Sequence, residues 1–353
     1  MLSVWDRLKT WVKGAKEEVP LLGKAGADKL LSDLVYFNKV PGLAITLLKK
    51  GKIFFQKGYG YSDMANVTLM DPKETLCRAA SASKPIASLA LGKMMETGNI
   101  DPDASFYNYV PYFPKKEYDF TIRQLAGHTA GIRGYRGKEY ALNKPLSIKD
   151  SLDIFKEDAL LFEPDKGYHY NSYDWVMLSL AMQEVSGIPF EAQLEREILH
   201  PLGLRNTRPE VPDEKDASVA KFYSRYAGGF KIATSVDNRY KLAGGGFLTT
   251  SDELAQFGQA CLEQQILNRS TWQELWRSKE IDGQNTYYGL GWEVSEDHKG
   301  RKRMGHTGNG VGGYSNFYIY PNENVVVSIL INCTDPKVQT VLDRVTDILI
   351  SES

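Results

Sequence analysis

Strand patterns sit at the two ends of this 353-residue chain, and a helical block separates them. Near the start, Ala25 to Tyr36 reads as a helix. Pro41-Gly42 then opens a strand from Leu43 to Lys49, Lys50-Gly51 is a turn, and Lys52 to Tyr59 returns as the second arm of an antiparallel hairpin. Residues 101–230 carry helical patterns broken by Pro- and Gly-rich loops. Ser172 to Ser186 is an apolar helix, and Phe190 to Ile198 is another before Pro201-Leu-Gly203. From about Leu242 the chain turns back to sheet. A helix over Asp252 to Glu263 is capped by Ser251, and strands are expected at Gly289 to Val294, Phe317 to Tyr320 and Val325 to Ile331. Asp335-Pro336 opens a last helix with Val338, Val341, Leu342, Val345, Ile348 and Leu349 on one face. A sheet fed from both ends has to close around whatever lies between. The expected fold is therefore α/β (α+β): an antiparallel sheet flanked by helices, built from residues 1–76 and 231–353, with an all-α domain, residues 77–230, inserted.

Composition excludes more than it assigns. Net charge is −1, so there is no electrostatic case for nucleic acid or an anionic membrane. The three cysteines, Cys77, Cys261 and Cys333, are far apart and form no C-x-x-C, which argues against zinc and against a disulfide framework. No run of 18 apolar residues occurs, and the first twenty residues lack the apolar core of a signal peptide. The sequence as written reads as cytoplasmic, or as periplasmic or secreted if an export signal has been removed. Residues 2–16 can form a helix with Leu2, Trp5, Leu8 and Val12 on one side.

The stretch from Arg78 to Ile100 carries the first chemical signal. Small residues Ala79 to Ser83 lead into a helical stripe of Ile86, Leu89, Ala90 and Met94. Pro85 suits the first turn and Gly98 the stop. Ser81 and Lys84, three apart, share a face there. A hydroxyl at a helix start meets backbone donors without partners, and a lysine short of water loses part of its preference for charge. Together they can act as a nucleophile and its base. On its own a Ser/Lys pair is also a common surface feature.

Two later segments bear on that pair. Tyr170, in Gly167-Tyr-His-Tyr-Asn-Ser-Tyr173, lies just ahead of the Ser172 helix, where its phenol can share a proton with Ser81 and Lys84. His306-Thr307-Gly308, followed by Asn309-Gly-Val-Gly-Gly-Tyr314, suits a strand edge along which a substrate backbone can pair and whose N–H groups can bind an oxyanion.

Ser81-Ala-Ser-Lys84, Tyr170-Asn-Ser172 and His306-Thr-Gly308 resemble, in order, the S-x-x-K, Y-x-N and K-T-G motifs of serine β-lactamases and penicillin-binding proteins. Thr121-Ile-Arg-Gln-Leu-Ala-Gly-His-Thr-Ala-Gly-Ile132 and Gly244-Gly-Gly-Phe-Leu-Thr-Thr250 extend the likeness to class C β-lactamase-related serine hydrolases over roughly residues 25–350. Within that group the mitochondrial serine β-lactamase-like proteins and their bacterial relatives look most similar. The resemblance implies a β-lactamase/transpeptidase-like fold, Ser81 as nucleophile, and Lys84 with Tyr170 as the base system. It implies an oxyanion hole from the N–H groups of Ser81 and Asn309, substrate contacts from Ser172, His306, Thr307 and Gly308, and no metal or organic cofactor.

Two departures from the motifs steer the substrate. Ser172 replaces the usual Asn and offers one hydroxyl in place of an amide. His306 replaces the lysine of K-T-G and carries no fixed charge at neutral pH. Penicillins present a carboxylate that a lysine would attract. The expected activity is therefore hydrolysis of a small ester, amide or short peptide through an acyl-enzyme. Alternatives with the same fold are a true β-lactamase, a D-Ala-D-Ala carboxypeptidase, an acyltransferase and a non-catalytic scaffold; homo-oligomers are compatible with any of them. His128 reads as a structural turn and His169 as a cleft-rim residue. Gly308-x-Gly310-x-x-Gly313 mimics a dinucleotide fingerprint but precedes a strand where a helix is needed.

Overall fold

The computed structural model describes residues 22–212 and 215–352. The helix expected over residues 2–16 lies outside that range. Seven strands form one antiparallel sheet in the order Glu293–Glu296, Lys302–Gly310, Gly313–Tyr320, Val325–Ile331, Gly42–Lys49, Lys52–Asp63 and Thr68–Leu69. The N-terminal hairpin is thus stitched to the C-terminal strands by the pairing of Leu43 with Ile331, Ile45 with Ile329 and Leu47 with Val327.

Both faces of the central strands are covered, which is why they read as continuous apolar runs instead of alternating ones. Leu43, Ile45, Leu47, Val327 and Ile329 face helices Gly23–Tyr36 and Gln339–Ser351 through Ala27, Leu31, Val345 and Leu349. Ala44, Leu48, Val326 and Leu330 face the other way, toward helix Ser251–Leu262 through Leu254 and Phe257. Each buried Leu, Ile or Val among them contributes about 1.5–3 kcal/mol. The second core continues without a break into the helical region, reaching Trp175, Leu178, Phe190 and Phe106.

Helix Ser83–Glu96 runs through this second core. It is buried nearly all round, from Ser83 to Gly92 and at Met94, so the single stripe expected from Ile86, Leu89, Ala90 and Met94 understates its contacts. Helix Tyr173–Ser186 packs beside it and is buried from Tyr173 to Met182. A small sheet of Cys77–Arg78, Phe247–Thr249 and Arg208–Pro209 holds the chain just ahead of Ser81, where Ala79 N donates to Phe247 O. The buried Arg78 guanidinium fixes it, reaching Glu210 through Nε at 2.8 Å and donating to the Val311 carbonyl.

Several boundaries differ from expectation for local reasons. The cap of helix Ser251–Leu262 is Thr250, whose hydroxyl accepts from Glu253 N; Ser251 is instead tied to Thr46 Oγ1 at 3.0 Å. The segment expected as a strand from Gly289 is a tight turn in which Gly289 N donates to Trp292 O, and strand geometry begins at Glu293. The last helix begins at Gln339, because Asp335 and Lys337 sit at φ 38° and 58°, outside the helical region. Helix Phe190–Leu194 passes into a π turn over Glu195–Leu199. The strand expected from Phe317 starts earlier, at Gly313. All three cysteines are buried free thiols. Among the described residues no helix is long and apolar enough to cross a membrane, and no cluster of His, Cys, Asp or Glu could hold a metal ion.

Candidate active site

Ser81 sits in a 3-10 turn, Ala80–Ala82, that leads directly into helix Ser83–Glu96. Ala80 has φ 46°, a left-handed conformation that costs a residue with a Cβ about 1–3 kcal/mol. The turn is held from outside by strand Lys302–Gly310. A Cβ on Gly308 would lie 2.2 Å from Ser315 Oγ, 2.7 Å from Ala79 O and 2.9 Å from Ser81 N, so only glycine allows the strand this close to the serine.

The structure brings the hydroxyl, the amine and the phenol together. Tyr170 Oη lies 2.7 Å from Ser81 Oγ and 2.7 Å from Lys84 Nζ, and the amine is 3.1 Å from Ser81 Oγ. Lys84 Nζ also donates to the Gly244 carbonyl at 2.9 Å. Lys84 is fully buried with no carboxylate in contact, and that desolvation brings its pKa down to about 7. The same cause pushes the Tyr170 phenol well above its usual value, so it stays protonated at neutral pH. One arrangement satisfies all three groups. A neutral Lys84 gives its two hydrogens to Gly244 O and Tyr170 Oη, Tyr170 donates to Ser81 Oγ, and Ser81 donates to the amine lone pair.

Tyr170 is placed by its surroundings, although the residue as a whole is 38% exposed. The ring rests against His128 at 4.7 Å between centroids and His306 at 5.6 Å. His128 holds the preceding loop, since its carbonyl accepts from His169 N. Its Nδ1 is 2.7 Å from Asp174 Oδ2, and Asn171 Nδ2 donates to the same oxygen. The pair is fully enclosed, and burial lowers the His128 pKa and raises that of Asp174. His128 therefore supports the tyrosine and makes no contact with Ser81 that could serve a base.

His306 lines the cleft wall with little exposed surface. Its Nε2 is 2.9 Å from Tyr288 Oη and its Nδ1 is 2.7 Å from Thr307 O. This assigns the Nδ1–H tautomer, with Tyr288 donating to Nε2. Burial brings its pKa to about 4, so the position that carries a lysine in K-T-G is uncharged here. Thr307 N donates to Glu293 Oε1 at 3.2 Å, and the other carboxylate oxygen accepts from Tyr318 Oη. Strand Glu293–Glu296 pairs with its neighbour only as far as Gly305, which leaves residues 306–310 as an open edge.

Two clefts meet at Ser81 and Asn309. One, of about 430 Å³, is lined by Tyr168, Tyr170, Tyr287, Tyr288, Glu293 and Thr307 among others. The other, of about 280 Å³, is lined by Tyr135, Tyr140, Ser172, Lys241, Gly244 and Val311 among others. Ser172 and His306 thus fall on opposite sides of the serine. Lys241 donates to Tyr140 O at 3.2 Å, and desolvation lowers its pKa to about 8. Asp174, Lys241, Tyr288 and Glu293 were not singled out from the sequence. No local spacing points to them, because each enters the site from a different element.

Comparison with known proteins matches the chain to a family. The Beta-lactamase family description covers residues 27–350. The human serine beta-lactamase-like protein LACTB, mitochondrial, is 28% identical over 293 residues, 63% of this chain and 53% of its own length. The chain spans about half the length of that relative. Among solved structures, the D-amino acid amidase from Ochrobactrum anthropi SV3 superposes with a TM-score of 0.80 at 20% identity, covering 91% of this chain and 97% of that one. EstCE1, described as a hydrolase with promiscuous acyltransferase activity, superposes with a TM-score of 0.77 at 19% identity, covering 92% and 97%. At these identities the two structures speak for the fold. With more than nine-tenths of the described chain inside the family match, this protein belongs to the Beta-lactamase family.

Proposed function

We propose that the protein is a serine hydrolase that cleaves ester or amide bonds through an acyl-enzyme. The observation that carries the reading is the closed hydrogen-bond set of Ser81, Lys84 and Tyr170, with the amine desolvated to a pKa of about 7. Lys84 takes the Ser81 proton as Oγ attacks the substrate carbonyl. The oxyanion is received by the backbone N–H groups of Ser81 and Asn309. Support for Asn309 comes from strand alternation. Thr307 N points to the open edge, where it meets Glu293, and a period of two puts Asn309 N on the same edge. Tyr170 then protonates the leaving oxygen or nitrogen and is reprotonated from Lys84. Water attacks the acyl-enzyme, its proton enters the same pair, and Ser81 Oγ leaves as the alcohol.

Ester and amide hydrolysis rank ahead of penicillin hydrolysis. The neutral His306 and the nearby Glu293 carboxylate give no attraction for the carboxylate that penicillins and D-Ala-D-Ala peptides carry. The amidase and the hydrolase named above are compatible with this class. The test is Ser81→Ala. It should abolish turnover of a p-nitrophenyl ester and labelling by a fluorophosphonate probe while the circular dichroism spectrum is retained. Wild-type rates in the variant would remove Ser81 from the chemistry.

A further inference from the structure

The larger cleft beside Ser81 has a chemistry that the family motifs do not describe. Of the residues lining it, Glu293 alone brings a formal charge at neutral pH. Its carboxylate is about a third exposed at the side chain, and among the described residues no lysine or arginine pairs with it. Its contacts are Thr307 N, Tyr318 Oη and the uncharged His306 ring at 3.3 Å. One cation at this end of the cleft, Arg303, is engaged elsewhere: Nε on Ser295 Oγ at 3.2 Å, the guanidinium 4.1 Å from the Tyr318 ring centre, and Nη1 3.8 Å from Asp343. Lys241 lines the other cleft.

The same cleft is lined by four tyrosines, Tyr168, Tyr170, Tyr287 and Tyr288. Tyr287 lines it from an unfavourable backbone conformation, at φ 54°, and is an exposed residue. Backbone strain of this kind clusters at active sites and ligand clamps. A carboxylate with open acceptor positions that shares a space of about 430 Å³ with four tyrosines has the properties of an ammonium receptor. Anionic groups would meet repulsion there, and neutral ones would gain only contact.

We propose that this cleft selects substrates that carry a positive charge, with a primary or quaternary ammonium seated between Glu293 and the tyrosine rings while Ser81 attacks the ester or amide carbonyl. Glu293 is then the specificity-determining residue of the reaction. Position along the strand sets the spacing. Thr307 N, which holds the carboxylate, is two residues from Asn309 N, the proposed oxyanion donor, about 7 Å in extended chain. The ammonium therefore stands a few bonds from the reacting carbonyl, not directly beside it. This inference rests on the acyl-enzyme reading above.

The experiment compares p-nitrophenyl esters of trimethylammoniobutyric acid, of its uncharged tert-butyl isostere, and of glutaric acid, which presents a carboxylate at the same distance. A second pair places the charge in the alcohol: butyrylcholine against its tert-butyl isostere. In at least one pair the cationic substrate should have a kcat/KM about tenfold or more above the isostere, and the glutarate ester should be the poorest of its series. The preference should shrink as sodium chloride is raised and fall toward unity in Glu293→Gln. The salt series needs only wild-type protein and covers the case of a variant that fails to fold. Hydrolysis of neutral esters with no cation preference in either pair overturns this proposal and leaves the acyl-enzyme reading standing. Absence of turnover of every ester together with absence of fluorophosphonate labelling overturns both.

Discussion

Tyr170→Phe isolates the part of the proposed machinery whose cost follows most directly from the geometry. The substitution removes one oxygen, bonded at 2.7 Å to both Ser81 Oγ and Lys84 Nζ. The ring remains, and with it the contacts to His128 and His306. Folding stability should change little, by about 1 kcal/mol, because Lys84 keeps its bond to Gly244 O and the cleft admits water at the vacated position. The chemical step loses its proton donor to the leaving group. General acid–base groups contribute about 10²–10⁴ in rate, or about 3–5.5 kcal/mol at 1.36 kcal/mol per decade. The variant should therefore hydrolyse an alkyl ester with kcat reduced by two to four orders of magnitude and KM little changed. A p-nitrophenyl ester should suffer less, since its leaving group needs no proton. Steady-state rates on the two esters, with thermal melts on both proteins, decide the matter. A kcat within threefold of wild type on the alkyl ester would refute the role given to the phenol. A drop in melting temperature matching the loss of activity would reduce Tyr170 to a packing residue.

Other consequences follow from the same site. The rate should depend on pH through Lys84. Only the neutral amine accepts the Ser81 proton, so kcat/KM should rise about tenfold per pH unit on the acid side and level off above an apparent pKa of about 7, as measured in a buffer series. Stability should also rise with pH, over a higher window. The folded-state pKa is depressed below the unfolded value near 10.5, so the unfolded chain holds the extra proton between about pH 7 and 10.5, and wild-type stability rises with pH across that window. Lys84→Met, inactive, should be more stable than wild type at pH 6, and the difference should narrow by pH 10 in urea titrations. Gly308→Ala should disturb the serine itself, because its new methyl meets Ser315 Oγ and Ser81 N. A loss of about 1–3 kcal/mol in unfolding free energy and a large fall in acylation by a fluorophosphonate are expected, and an unaffected labelling rate would count against the close approach.

How much of this was legible in the chain can be argued from particular segments. Hairpin turn Lys50-Gly51, the apolar strand Val325–Ile331 and the apolar helix that ends at Ser186 are local features, governed by turn chemistry and side-chain periodicity. Each was readable without neighbours. Boundaries failed where a tertiary partner outbid the local signal. Ser251 is a good cap by type, yet it is committed to Thr46 across the sheet, and the capping passes to Thr250. Gly289 to Trp292 has strand composition, yet it folds into a turn against Leu275.

For the site the same division holds. Spacing alone puts Ser81 and Lys84 on one face of a helix start, and the order of the three motifs suffices to suggest the family. The depressed pKa of Lys84 depends on enclosure by Tyr170 and the Gly244 passage, which are 86 and 160 residues away. The charge of the larger cleft was equally invisible in the sequence. His306 could be read as a missing lysine, but only the pairing of strands Glu293–Glu296 and Lys302–Gly310 sets Glu293 beside it. Local propensity and periodicity act over a few residues and can be read from a string. Desolvation and Coulomb interactions act through space, so they are decided by which distant segments the fold packs together.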